Sequence, residues 1–204
     1  MRAAVAAGVD WVQVRDRTLA GGALRAFVEQ VARAAREGAA ERAGAVRVLV
    51  NRRLDVALAA GADGVHLGFD AMGVADARRA WRELGGSGPG LIGAATHAPE
   101  EVAEAAAAGA DYAHLAPIFD PLSKRRERPA LGTAALSRAS HLLGGRRGFV
   151  LLAQGGIDGQ RAAEALDAGA GGVAVTGAVL AATHSAEAVT RLRATLDRAT
   201  RHAR

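Results

Sequence analysis

The chain of 204 residues contains no cysteine, a single lysine (Lys124), five prolines, and only four Phe, two Trp and one Tyr. Without thiols, disulfide scaffolds, Cys-ligated zinc and thiol catalysis are excluded. With aromatics at 3%, the core must be built from Ala, Val, Leu and Ile. No run approaches the roughly 18 apolar residues that span a membrane. The N-terminus reaches Asp10 without the apolar core of a signal peptide, so the sequence reads as a cytoplasmic protein. Half the residues are hydrophobic and 23% charged, which is no composition for a disordered chain.

Lysine scarcity sharpens the reading of charge. All but one of the 26 basic residues are arginine, and with 21 acidic residues the net charge is +5. A GC-rich genome exchanges lysine for arginine wherever plain charge suffices, so the basic balance does not point to nucleic acid. The basic run 191–204 has the spacing of an amphipathic helix with a solvated face. Lys124 is the exception to the drift, and is marked for that reason.

What the chain has in abundance is glycine, 26 in all, and some of it is periodic. Ala-Gly-Val-Asp at 7–10, Ala-Gly-Ala-Asp at 60–63 and 108–111, and Ala-Gly-Ala-Gly at 168–171 each follow an Ala-rich run and precede a short apolar run. This is the pattern of a helix closed by a C′ glycine that turns straight into a buried strand. Strands are expected at 11–14, 46–50, 64–67, 91–94, 112–118, 149–153 and 172–176. Helices are expected at 20–38, 52–60, 74–84, 99–108, 133–142, 159–168 and 186–198. Such alternation means a parallel sheet covered by helices, a description that doubly wound sheets and closed barrels both meet. Two-unit repetition without a dinucleotide fingerprint favours the TIM (β/α)₈ barrel, as one domain over 1–204. Seven strands are visible where the barrel has eight, so a barrel lacking the first N-terminal strand is expected, the chain opening inside what reads as the first helix.

In such barrels chemistry sits at the C-terminal strand ends. There the sequence places Gln13, Arg15 and Arg17; Asn51, Arg52 and Arg53; His66 and Asp70; His97; His114, Ser123 and Lys124; Gly155 and Gly156; and Thr176 and Gly177. Gly155-Gly156 before a helix is a candidate phosphate cradle, with free amides facing an anion; a tight turn is the simpler alternative. The arginines and Lys124 on one rim suit phosphate or diphosphate, or form an ordinary solvated basic rim. Gln13, alternating with Val12 and Val14, points an amide out of an apolar strand, where a heteroaromatic ring would satisfy it.

In this order the motifs resemble the thiamine phosphate synthase family, which includes the TenI-like thiazole tautomerases. The resemblance rests on Val-Gln-Val-Arg-Asp-Arg at 12–17, Asn-Arg-Arg-Leu-Asp-Val-Ala at 51–57 and Gly-Ala-Asp-Gly-Val-His-Leu-Gly at 61–68. It continues through Ile92 to His97, Gly109 to Tyr112, Pro117-Ile118-Phe119 leading to Ser123-Lys124, and Gly155-Gly156-Ile157. The family joins a pyrimidine diphosphate to a thiazole phosphate and releases pyrophosphate, with Mg²⁺. The resemblance implies that Gln13 and Asn51 hold the pyrimidine, that Arg15, Arg17 and Lys124 neutralise pyrophosphate, and that Gly155, Gly156, Thr176 and Gly177 seat the thiazole phosphate. Arg52, His97 and Ser123 complete the expected substrate-binding set. Phosphorylated pyrimidine and thiazole are then the partners, with neither nucleic acid nor membrane, and a homo-oligomer left open.

Departures from the family pattern cluster at the metal. Arg52 stands where the family has its first Mg²⁺-binding Asp, and Asp70, the remaining metal candidate, comes one residue early. Ala95 replaces a serine and Pro121 a threonine. A tautomerase would have a histidine at Pro117; His114, three residues earlier, is the expected proton shuttle if it faces the site. Synthase is the leading expectation. A metal-independent thiazole tautomerase and a non-catalytic phosphate-ligand-binding or regulatory paralogue are the alternatives.

Overall fold

A computed structural model describes residues 1–120 and 129–202, with the side chains of 200–202 left aside. The expected alternation is present, and the seven strands follow one another in chain order. The chain forms two compact units, 1–93 and 94–204.

The first unit contains α1 (Arg2–Ala6), β1 (Trp11–Val14), α2 (Gly21–Glu41), β2 (Arg47–Asn51), α3 (Leu54–Ala59), β3 (Gly64–Leu67), α4 (Val74–Glu83) and the start of β4 (Leu91–Thr96). β1, β2 and β3 pair in parallel, with Val12 opposite Val48, Gln13 opposite Leu49 and Asn51 opposite His66. The amide of Leu91 donates to the Asp63 carbonyl at the start of β4 (2.9 Å). Val12, Val14, Val48, Val50, Val65 and Leu67 pack with Leu24, Val28, Ala32, Ala35, Val56, Ala57 and Trp81 of the helices in one core. Because strand side chains alternate, Gln13, Leu49, Asn51 and His66 occupy the other face of the sheet.

The second unit contains the rest of β4, α5 (Pro99–Ala107), β5 (Tyr112–Leu115), α6 (Thr133–Leu143), β6 (Val150–Gln154), α7 (Gly159–Asp167), β7 (Gly172–Ala174), α8 (Gly177–Leu180) and α9 (Ser185–His202). β5, β6 and β7 pair in parallel, His114 opposite Leu152 and Gln154 opposite Ala174. Among the described residues no helix is long and apolar enough to cross a membrane.

The repeated glycine has the role read from the sequence. Gly8, Gly61, Gly109 and Gly169 all have positive φ, at 123°, 60°, 93° and 96°. In each case the following amide reaches back five residues: Val9 to the Ala4 carbonyl, Ala62 to Ala57, Ala110 to Ala105, Ala170 to Ala165. That is the Schellman closure of a helix, used four times to pass from helix to strand.

Boundaries differ from expectation at several elements, among them α2, β5 and β7. Gly38, read as a helix end, lies inside α2, where a Cβ would fall 2.3 Å from the Arg2 carbonyl oxygen. The glycine admits the backbone of α1, and the helix runs on to Glu41. β5 stops at Leu115 instead of 118, because Pro117 has no N–H to donate to a ladder. β7 ends at Ala174, and the short α8 begins at the Thr176–Gly177 turn.

Candidate active site

In the first unit the strand ends collect the residues expected for an anion and a ring. Gln13 and Asn51 are half-buried on the sheet face turned away from the helix core. Arg15 and Arg17 follow β1 and are exposed. Their loop is shaped by Asp16, whose Oδ1 accepts from the Thr18 amide (2.7 Å), the Thr18 hydroxyl (2.8 Å) and the Leu19 amide (2.9 Å). Those three bonds hold the Asp16 carboxyl below its ordinary range, the Thr18 hydroxyl contributing most. The Asp-x-Thr spacing is a recognisable side-chain turn, and was the available signal that Asp16 positions the two arginines.

Arg52 closes onto Asp70. Nη1 lies 2.6 Å from Oδ1 and Nη2 donates to Oδ2 at 2.7 Å, the parallel two-bond geometry natural to guanidinium and carboxylate. The bond from Arg52, then one from the backbone amide of Asp70 itself, and last the charges of Arg52 and Arg17 keep the Asp70 carboxyl below its usual range. The backbone of Arg52 is left-handed at φ 65°, and its amide donates to the His66 carbonyl (2.8 Å). Asp and Asn tolerate this conformation better than Arg, for which it costs about 1–2 kcal/mol. Arg53 is engaged elsewhere, with both Nε (2.9 Å) and Nη2 (2.7 Å) on Asp55 in the first turn of α3.

The Mg²⁺ implied by the family resemblance does not fit these residues. Among the described residues no three His, Asp or Glu side chains are grouped to hold a metal, and the carboxylate that remains, Asp70, has both oxygens on Arg52. A cation would have to displace a guanidinium to reach it.

The second unit carries the histidines and the glycine turn. His97 follows β4 with its amide on Glu101 Oε2 (2.7 Å) and its ring Nδ1 2.7 Å from the Ala116 carbonyl oxygen. It lines a cleft of about 390 Å³ with Ala116, Pro117, Pro129, Ala130 and Leu131. His114 is buried, and burial pushes it down to about 4 even though a hydrogen bond with Gln154 works the other way. It shares a strand face with Tyr112, whose ring centroid lies 5.5 Å away, and by register with Leu152 and Gln154. The opposite face carries Ala113, Leu115, Leu151 and Ala153, all buried. His114 therefore looks along the Gln154 side of the sheet as a neutral imidazole.

The Gly155–Gly156 turn has φ 97° and 62°. A Cβ on Gly155 would lie 2.9 Å from Pro117 Cα, and one on Gly156 2.3 Å from the Asp120 carbonyl oxygen. The turn is pinned to the segment after β5 by the Ile118 amide on the Gln154 carbonyl (2.8 Å) and the Phe119 amide on the Gly155 carbonyl (3.2 Å). The expectation that α7 offers free amides to an anion is corrected at one of them: Asp158 caps α7 and its Oδ1 takes the Arg161 amide (2.9 Å). Its carboxylate holds the place an incoming anion would want. Arg161, which the sequence reading passed over, stitches the turn by donating to the carbonyls of Gly156 (2.8 Å) and Asp120 (3.3 Å). Its guanidinium carbon lies 5.3 Å from the centre of the Phe119 ring. No local pattern announces that role, because one of its partners, the Asp120 carbonyl, belongs to a different loop. Thr176 and Gly177 are exposed at the start of α8. Ser123 and Lys124, with Pro121, lie outside the described residues.

Comparison with known proteins agrees with the resemblance. Residues 1–179 match the family described as thiamine monophosphate synthase. The thiamine-phosphate synthase of Methanoculleus marisnigri is 43% identical over 180 residues, 88% of this chain and 78% of that protein. That of Mycobacterium sp. (strain KMS) is 41% identical over 198 residues, 94% and 82% of the two chains. Among solved structures, the thiamine phosphate pyrophosphorylase from Pyrococcus furiosus superposes with a TM-score of 0.77 at 28% identity, covering 97% of this chain and 88% of that one. The fold class is thus the (β/α) barrel expected from the alternation, here with seven strands among the described residues. This chain belongs to the thiamine monophosphate synthase family.

Proposed function

We propose that this protein is a transferase of thiamine biosynthesis that joins hydroxymethylpyrimidine diphosphate to thiazole phosphate. The observation that carries the reading is the shared sheet face of Gln13 and Asn51, with Arg15, Arg17 and Arg52 just past the same strand ends. An amide pair beside a basic rim is what a polar heteroaromatic ring bearing a diphosphate requires.

Gln13 and Asn51 hold the pyrimidine ring through its nitrogens and amine. The bond between the pyrimidine methylene carbon and the diphosphate oxygen breaks with its electron pair leaving on oxygen. Arg15 and Arg17, and Lys124 by resemblance, stabilise the charge that develops there. The thiazole nitrogen then donates its lone pair to the methylene cation, forming the new C–N bond. His97 and Ser123 contribute to substrate binding, and the glycine turn of Gly155 and Gly156, with Thr176 and Gly177, seats the thiazole phosphate. No proton transfer is needed in the coupling, so a neutral buried His114 is compatible with it as a shape-determining group.

The test is direct. Purified protein incubated with both substrates should produce thiamine phosphate and pyrophosphate in equal amounts, and the gene should restore thiamine-independent growth to a synthase-deleted strain. Failure of both with well-folded protein rejects the coupling reaction. A second reading draws on the Arg52–Asp70 pair, in which one metal carboxylate of the family is replaced and the remaining one is taken up by the guanidinium: a phosphate-ligand binder without catalysis, which would bind thiazole phosphate and turn over nothing. A thiazole tautomerase would instead be revealed by isomerisation of thiazole carboxylate phosphate that is lost in His114→Asn.

A further inference from the structure

The residues that fail to fit a metal fit something else. Arg52 is anchored at both ends, its amide on the His66 carbonyl and its guanidinium on both oxygens of Asp70. Gly68 makes room for the pair: a Cβ there would lie 3.3 Å from Asp70 Oδ1 and 3.4 Å from Arg52 Nη1. The fork commits two of the five N–H donors that a guanidinium carries. The Arg52 side chain is still 37% exposed, so it keeps donors for oxygens arriving from solvent. Arg17 adds its charge at Asp70, and Arg15 stands exposed on the same loop, which Asp16 braces.

Formal charge explains why such a substitution can work. A divalent cation held by two carboxylates is neutral as a group, and so is one guanidinium held by one carboxylate. An arriving diphosphate would meet the same balance in either case, with Arg15 and Arg17 as the surplus positive charge. What changes is that the cation is covalently part of the chain.

We propose that Arg52, locked in place by Asp70, replaces the divalent cation, so that the rim of the first unit binds diphosphate without metal. The choice of diphosphate rests on the coupling reading above; the test does not depend on catalysis. In this assignment Arg52 is a binding residue and Asp70 a positioning residue.

The experiment is isothermal titration of the full chain with inorganic pyrophosphate, in EDTA and in MgCl₂ at matched ionic strength. The same affinity, within about twofold, is expected in both buffers. Arg52→Gln should weaken binding by about tenfold or more in either, as loss of a charge-assisted hydrogen-bond donor does. Should that variant fail to fold by far-UV circular dichroism, Arg52→Lys keeps charge without the fork and should lose at least about threefold. Binding that needs Mg²⁺, no binding in either buffer, or unchanged affinity in the folded variant overturns the proposal. Metal-free binding without formation of thiamine phosphate would overturn only the coupling reading. Thiamine phosphate formed by a chain that binds pyrophosphate only with Mg²⁺ would overturn only the present one.

Discussion

Gly156→Ala, set against Gly144→Ala, separates two reasons for a glycine within one unit. Both residues are left-handed, at φ 62° and 57°. Around Gly144, the C-cap of α6, nothing lies within 4 Å of an added Cβ. At Gly156 the same Cβ would lie 2.3 Å from the Asp120 carbonyl oxygen and 2.9 Å from that of Phe119. The conformational penalty of about 1–2 kcal/mol is common to both. It is offset by about 0.4–1 kcal/mol from the stiffer unfolded chain. Gly144→Ala should therefore cost roughly 0.5–1 kcal/mol. Gly156→Ala must also push the turn off its neighbours, and overpacking of that kind costs about 1–3 kcal/mol. The bonds from Ile118 to Gln154 and from Phe119 to Gly155 are strained by that movement, at about 1 kcal/mol each if lost. A loss of about 2–5 kcal/mol is expected, at least about 1 kcal/mol beyond the control. Urea unfolding followed by circular dichroism measures both. Equal losses, within about 0.5 kcal/mol, would show that the close approach of the glycine turn to the segment after β5 does not hold.

Stability should also depend on pH through His114. Burial lowers it from 6.5 to about 4, so the unfolded chain takes up a proton that the folded chain refuses. The contribution is fully present above pH 6.5 and is lost as pH falls from 6.5 to 4, on the order of 3 kcal/mol in total. Urea midpoints across that window should flatten in His114→Asn, and an unchanged slope would place the pH sensitivity elsewhere. In the first unit, Trp81 is wholly buried and its Nε1–H donates to the Gly88 carbonyl (3.3 Å). Trp81→Ala should cost about 3–5 kcal/mol, read from the urea midpoint; a cost below about 1 kcal/mol would mean that the helix core does not depend on it.

Much of the fold is legible in the sequence because its causes are local. A glycine that must adopt positive φ four residues after the carbonyl that the next amide satisfies is visible as a repeat, and Gly8, Gly61, Gly109 and Gly169 play that part. Short apolar strands between amphipathic helices show parallel order before any pairing is known. The amide at Gln13 is legible for the same reason, since Val12 and Val14 on either side enter the helix core and leave it facing the other way. Gly38 misleads because a glycine inside a helix and one at its end are the same letter. Only the arrival of α1 decides between them.

Sequence alone thus determined the β/α alternation, the family and the set of polar residues at the strand ends, all of which depend on near neighbours along the chain. Tertiary structure decided what those residues do with one another. Arg52 and Asp70 are eighteen positions apart, and their union depends on the parallel register of β2 and β3. The face taken by His114 is likewise settled by pairing with β6. So is the capture of the glycine turn by Arg161 and the Asp120 carbonyl of a distant loop. The lost carboxylate was readable as a letter; that an arginine fork stands in its place is a fact of distance and direction, which only the folded chain supplies.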